Sequence, residues 1–411
     1  MGRRVVVTGL GAVTPIGNDV QTMWNSMMEG KCGIGPITQF DTSDFAVKIA
    51  AEVKDFDPKL YMDKGDARKA DRNIHLAMGA AVQAVQDSGI EGHYEPERAA
   101  VYFGSGIGGI HTFEENYTKY LEKGPRFISP YFIPMMIADM SAGMIAIKYG
   151  MRGAALPAVT ACASGTNAIG EAYRHIKDGY ADVVITGGTE AAITPSALGG
   201  FVKMQALNTE EDPARASLPF NLNRGGFVMG EGSGALVLEE LEHAKARGAK
   251  IYAEFTGYGS TCDAHHMTAP DPEAKAGSEA IRQAYVQSGS PDASKVYVNA
   301  HGTGTPLNDK AETIALKKVF GDDAYKIAIS STKSMTGHML GGTGAVEAVA
   351  SIMALNEGIL PPTIGLDTPD PECDLDYVPN VPRKQEIECA ISTSLGFGGH
   401  NACVAFKKYE D

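Results

Sequence analysis

The chain has 411 residues, with 36 Lys+Arg against 50 Asp+Glu, so its formal charge is 36 − 50 = −14. A composition 44% hydrophobic and 21% charged excludes disorder as the main state, and the acidic balance excludes a general nucleic-acid binder. No apolar run approaches the ~18 residues that span a bilayer, and the six cysteines are scattered without a CxxC pair, so a soluble cytoplasmic protein with reduced thiols is expected. From the N-terminus, Arg3–Thr8 reads as a buried strand. Residues 72–88 carry Ile74, Met78, Ala81, Val82 and Val85 at helical spacing. Strands are expected at 99–103 and 155–160, a helix at 164–178, and a strand at 181–186. Residues 104–157 are rich in Pro and Met (SPYFIPMMIADM) and read as an insertion or interface. In the second part, strands at 251–257, 296–300 and 327–330 alternate with helices at 278–288, 310–320 and 344–356. Two strands, at 389–394 and 402–406, close the chain. Alternating strands and helices mean sheets covered by helices.

The two parts share an outline. In each, a strand ends in a corner rich in Ser and Thr, and a helix of small residues follows: AVTACASGTNAIGEA at 158–172 and IAISSTKSMTGHMLGGTGAVEA at 327–348. The expected boundary falls near 240–250, giving units 1–250 and 251–411.

Three corners hold chemistry. Cys162, in TACASG, stands between a strand and a helix start. There the helix dipole and free N–H groups favour a thiolate and lower the thiol pKa. By itself such a cysteine is more often a small buried residue than a nucleophile. His301 in NAHGTGTP and His338 in SSTKSMTGH follow strands, at the ends where open α/β sheets place their sites. Gly104-Ser-Gly-Ile-Gly-Gly109 satisfies GxGxxG, but no acid stands about 20 residues on, in RFISPYFIP, so a dinucleotide site is not expected. His265 and His266 are adjacent and point apart, so no metal site is expected there.

The segments TACASGTNAIG, NAHGTGTP, SSTKSMTGH and SLGFGGHN resemble, in order, the four signature segments of the condensing enzymes. The likeness runs along nearly the whole chain and is nearest to the elongating β-ketoacyl-acyl-carrier-protein synthases. It implies a thiolase-like α/β fold, two similar halves forming a five-layer α-β-α-β-α sandwich, and a homodimer. It implies decarboxylative condensation of acyl-ACP with malonyl-ACP, the acyl carrier protein (ACP) being the partner. Cys162 would carry the acyl group, and His301 and His338 would stabilise the malonyl enolate. The N–H groups of Cys162 and Phe397 would form an oxyanion hole. Lys333 and Glu312 would pair and fix the histidines. Thr303, Thr305 and Thr268 would hold the phosphopantetheine arm, Phe397 would gate the acyl pocket, and Ile107 and Phe201 would line it. No redox cofactor or essential metal is implied. Some family members hold a structural monovalent cation, and Asn299 and Glu347 stand at matching positions. Gly304, Asn308 and His265 depart from the family's usual Ser, Gly and Tyr. A polyketide-type ketosynthase or synthase I homologue is the near alternative. A non-catalytic chain-length-factor-like subunit is the distant one, and the nucleophilic cysteine argues against it.

An acidic carrier cannot be drawn to a chain at −14 by net charge, so a local basic patch must steer it. Lys64, Arg68 and Lys69 in DKGDARKADR, with the first residues sharing a helical face, and Arg126 in GPRFISP are the expected docking residues.

Overall fold

The computed structural model describes residues 2–410. Ten strands form one mixed sheet: β1 (Val5–Val13), β2 (Ala99–Gly104), β3 (Ala155–Leu156), β4 (Val183–Glu190), β5 (Gly232–Glu240), β6 (Ala253–Cys262), β7 (Val296–Asn299), β8 (Ala328–Ser330), β9 (Cys389–Gly396) and β10 (His400–Lys407). Their spatial order is β8-β7-β9-β10-β6-β1-β5-β4-β2-β3. The order divides into two arrays with one design, β1-β5-β4-β2-β3 and β6-β10-β9-β7-β8. In each, the first two pairings are antiparallel and the last two parallel. Among the described residues the arrays pair where Val5, Val6 and Val7 of β1 face Phe255, Glu254 and Ala253 of β6.

Seven helices position the site: α1 (Arg72–Ser88), α2 (Ile110–Lys123), α3 (Met140–Tyr149), α4 (Ser164–Lys177), α5 (Lys275–Gln287), α6 (Pro306–Phe320) and α7 (Thr343–Glu357). α1 and α3 cover the outer face of the first array, and α5 and α6 that of the second. α4 and α7 lie between the arrays and touch both, completing five layers. Small residues allow this. An added Cβ on Gly170 of α4 would lie 2.1 Å from the Tyr258 ring of β6, and one on Gly234 of β5 would lie 2.5 Å from the Ala345 backbone of α7. Tyr173 of α4 stacks on Phe255 of β6 with ring centres 4.4 Å apart.

The α1 bounds match the apolar spacing of the sequence, and most other elements shift by a few residues. β5 was not foreseen, because its GSG start hides a strand. The 104–157 segment contains α2 and α3 rather than irregular chain. Of the strand expected at 155–160, only Ala155–Leu156 pairs, at the exposed sheet edge.

Candidate active site

Cys162 sits on a 3-10 turn, Ala161–Ala163, directly before α4. Ala161 has φ +50°, a left-handed conformation that alanine adopts only when its surroundings enforce it. Ser164 enforces it: its Oγ donates to Ala161 O at 2.6 Å and accepts from Thr160 N at 2.9 Å. Gly396, at the end of β9, closes against this turn. A Cβ there would lie 2.6 Å from Thr160 O and 3.3 Å from Cys162 N.

The N–H groups of Cys162 and Phe397 favour the thiolate of Cys162. Burial nevertheless pushes the thiol up to about 12; the Lys333 charge and the two N–H groups pull it down, and Glu190 adds to the rise. The sequence context at a helix start suggested a lowered value. Burial outweighs it, and the resting group is S–H.

His301 follows β7. Its backbone N donates to Glu312 Oε1 at 2.8 Å and Thr393 Oγ1 at 3.0 Å, and Gly302 N donates to Glu312 Oε2 at 2.8 Å. His338 Nδ1 lies 3.0 Å from Thr343 Oγ1 on the first turn of α7. With the hydroxyl donating, Nε2 carries the ring hydrogen; this tautomer is assigned from the partner. The two rings stand edge to face with centres 5.3 Å apart. Burial first, then the positive charge of Lys333, holds both imidazoles well below their ordinary value, with His338 adding to the effect on His301. Both are neutral donors at neutral pH.

Lys333, 1% exposed, pairs with Glu347 through Nζ–Oε1 at 2.6 Å. This corrects the expected pairing with Glu312. Glu347, on α7, reaches the lysine, whereas both Glu312 oxygens are taken by the N–H groups of His301 and Gly302 and by the Thr393 hydroxyl. Glu312 supports the His301 backbone directly.

Cys162, His301 and His338 line one cavity of about 850 Å³, together with Phe397, Phe201, Thr268, Thr303 and Thr305. Thr303 Oγ1 and Thr305 Oγ1 are 2.9 Å apart. Phe397 is half-buried, with its ring centre 6.4 Å from that of Phe201. Gly304 has φ +75°, a conformation that costs glycine nothing. Ile107 does not line this cavity; it is 38% exposed, on the side of α2 and the 131–137 segment. Lys64, Arg68, Lys69 and Arg126 are all exposed, and none makes an ion pair among the described residues. The helix spans Lys64–Ala67, with Arg68 as its C-cap and Lys69 just beyond it. Lys69 Nζ lies 5.2 Å from the ring centre of Tyr131.

The Gly104–Gly109 loop turns its amides inward: Gly106 N and Ile107 N donate to the buried Glu190, leaving those two unavailable to a phosphate. His266 Nδ1 accepts from the N–H groups of Thr268 and Ala269, capping its own turn. Sequence reasoning missed Glu190; its one signal was an acid closing the strand GGTE. Both polar side-chain atoms of Asn299, Glu347 Oε2 and Ser392 Oγ are buried without partners. Asn299 and Ser392 are neighbours in register on β7 and β9. Oxygen donors of this kind suit a hard cation.

Models of the beta-ketoacyl synthase N-terminal domain and C-terminal domain match residues 2–244 and 252–367. The chain is 53% identical to 3-oxoacyl-[acyl-carrier-protein] synthase 2 of Synechocystis sp., covering 99% of each, and 50% identical to the protein of that name from Coxiella burnetii, covering 100% of this chain and 99% of the other. Among solved structures it resembles a β-ketoacyl synthase from Burkholderia phymatum (TM-score 0.91, 33% identity, 99% of this chain and 100% of that one). It also resembles a ketosynthase solved with its type II polyketide acyl-carrier protein and bound to the hexaketide (TM-score 0.92, 34% identity, 100% of both).

Proposed function

The chain belongs to the β-ketoacyl synthase family, and from that premise we propose how its residues divide the work. The activity is the decarboxylative condensation of acyl-ACP with malonyl-ACP in fatty-acid elongation, as in relatives at about 50% identity. One observation carries the assignment of roles: a thiol and two neutral imidazoles converge on a single cavity from three different corners.

Cys162 Sγ attacks the acyl thioester carbonyl. The acyl–Sγ bond forms, and the carrier's thiol leaves with the Cys162 proton. Malonyl-ACP then occupies the cavity, its arm against Thr303, Thr305 and Thr268. Loss of CO₂ leaves an enolate. His301 and His338, preorganised and uncharged, donate to its oxygen in a water-poor site, where such bonds are strongest. The carbanion attacks the acyl–Cys162 carbonyl. Its oxygen moves into the N–H groups of Cys162 and Phe397, and collapse expels the Cys162 thiolate, which takes a proton from water to return to S–H. Lys333 and Glu347 keep the imidazoles neutral and in place.

A monovalent cation would be held by Asn299, Ser392 and Glu347 Oε2, and would offset the buried carboxylate. The occupant of the apolar face that includes Ile107, Phe113, Tyr117, Leu121 and Ile133 is a second copy of this chain, with the exposed edge strand β3 close by. Exposed Lys64, Arg68, Lys69 and Arg126 receive the acidic carrier. No helix among the described residues is long and apolar enough to cross a membrane, and six free cysteines fit a reducing cytoplasm.

The test is direct. Purified protein given acyl-ACP and malonyl-ACP yields 3-oxoacyl-ACP and one CO₂ per condensation, and elutes at twice its 43.4 kDa chain mass. Absence of the 3-oxo product removes the assignment of roles.

A further inference from the structure

Glu190 closes β4 and is fully buried. No cation pairs with it among the described residues. Its Oε1 accepts from Ser105 Oγ at 2.9 Å and Ile107 N at 3.2 Å; its Oε2 accepts from Gly106 N at 2.8 Å and Gly341 N at 3.1 Å. Every neighbour donates, and each oxygen has two donors. Burial raises the Glu190 pKa, and these four donors pull it back toward the carboxylate. The donors come from two loops: the corner after β2, and the turn between His338 and α7.

The same point touches the nucleophile's turn. An added Cβ on Gly106 would lie 2.9 Å from Glu190 Oε2 and 3.2 Å from Ala161 O. One on Gly341 would lie 2.4 Å from Gly106 N and 2.8 Å from Glu190 Oε2. Gly341 O in turn sits 2.8 Å from where a Gly165 Cβ would stand, on the first turn of α4. Three glycines therefore bring the Cys162 turn, the His338 loop and the Ile107 corner together around one charge.

We infer that Glu190 is a positioning residue of the condensation: its carboxylate ties the Ile107 corner to the His338 loop and sets a negative group against the turn that carries Cys162. The charged and titratable groups acting on that sulfur are Lys333, backed by Glu347, and Glu190; His301, backed by Glu312, and His338 share the cavity. Lys333 favours the thiolate and Glu190 opposes it. The inference rests on Cys162 as the nucleophile.

The experiment follows alkylation of Cys162 by iodoacetamide against pH, by peptide mass spectrometry, alongside steady-state condensation. Glu190→Gln removes the charge and keeps the size. Its alkylation inflection moves down by about one pH unit, and alkylation at neutral pH quickens about three- to tenfold. Its kcat falls about ten- to a hundredfold with the KM for ACP substrates unmoved. Glu190→Asp keeps the charge and shortens the reach: its alkylation profile matches the wild type while kcat still falls. A Gln profile superimposed on the wild type, or an Asp variant with full kcat, overturns the inference. If the Gln variant does not fold, the Asp variant decides alone: full kcat overturns the inference. Complete alkylation that leaves condensation intact removes Cys162 as the nucleophile, and this inference with it.

Discussion

The two arrays are built on the same seam and carry different chemistry. On β1, Gly9 and Gly11 face Ala84 and Ala80 of α1 so closely that added Cβ atoms would lie 2.1 and 1.9 Å from those carbonyl oxygens. On β6, Gly257 and Gly259 face Ala284 and Ala280 of α5 at the same 2.1 and 1.9 Å. Gln83 and Asp87 accept from the N–H groups of Ala12 and Leu10. Gln283 and Gln287 accept from those of Ser260 and Tyr258. The corners diverge. Before the central helices, the first array presents Cys162 and the second His338. After the parallel strands, the first presents Ser105 and glycines gathered on Glu190, the second His301 held by Glu312. The contacts that make the scaffold are repeated, whereas the thiol and the imidazoles are divided between the halves, so the partial reactions should separate by half.

The strongest test of that division is Cys162→Ala. Condensation falls by about 10⁴-fold or more, while malonyl-ACP still releases CO₂, because the second half is untouched. Retained 3-oxo product in this variant would show another nucleophile. The converse pair, His301→Ala and His338→Ala, each lowers CO₂ release by about 10²–10³-fold, the usual cost of one oxyanion donor. Acyl loading on Cys162, read by mass spectrometry, persists in both. Equal loss of loading and decarboxylation would merge the two halves functionally.

The scaffold side of the comparison is probed by Gly11→Ala and Gly259→Ala. Each drives a methyl into a helix carbonyl and costs about 1–3 kcal/mol or more, and the two melting temperatures fall alike. Gly89→Ala, with open space at its Cβ but φ +60°, separates backbone strain from overlap. A variant of either seam that melts like the wild type would mean that the seams are not equivalent supports. The smallest effect concerns the proposed docking residues, all of which lie in the first half. Arg68→Glu with Lys69→Glu raises the KM for ACP substrates several-fold and weakens its salt dependence. A short pantetheine thioester is unaffected. The same rise with both substrates would make the patch structural.

The sequence carried more of this than was read from it. TGLG at 8–11 recurs as TGYG at 256–259, and A-x-x-Q-A-x-x-x-S-G recurs at 80–89 and 280–289; together these spell the duplicated seam. The outline similarity noted between the corners is the weaker trace of the same repeat. Cys162, His301 and His338 were legible because each stands at a strand-to-helix corner that the alternation of elements exposes. The partner of Lys333 was not. Glu312 and Glu347 both lie on helices, and only the packing of α7 between the arrays decides which reaches the lysine. The thiol's raised pKa was equally hidden, since a helix start is visible in sequence but the depth at which it is buried is not.

The sandwiched position of α4 and α7 has a consequence for biosynthesis. α4 emerges from the ribosome with the first half, yet its second apolar face packs on β6 and β10, which do not yet exist. The second array, from Ala253 of β6 to Lys407 of β10, takes roughly 10–30 s to translate. For that interval Tyr173, Ile169 and Ile176 have no second sheet to cover them. The nascent first half therefore holds one apolar helix face uncovered, and slower translation of the second half lengthens that exposure.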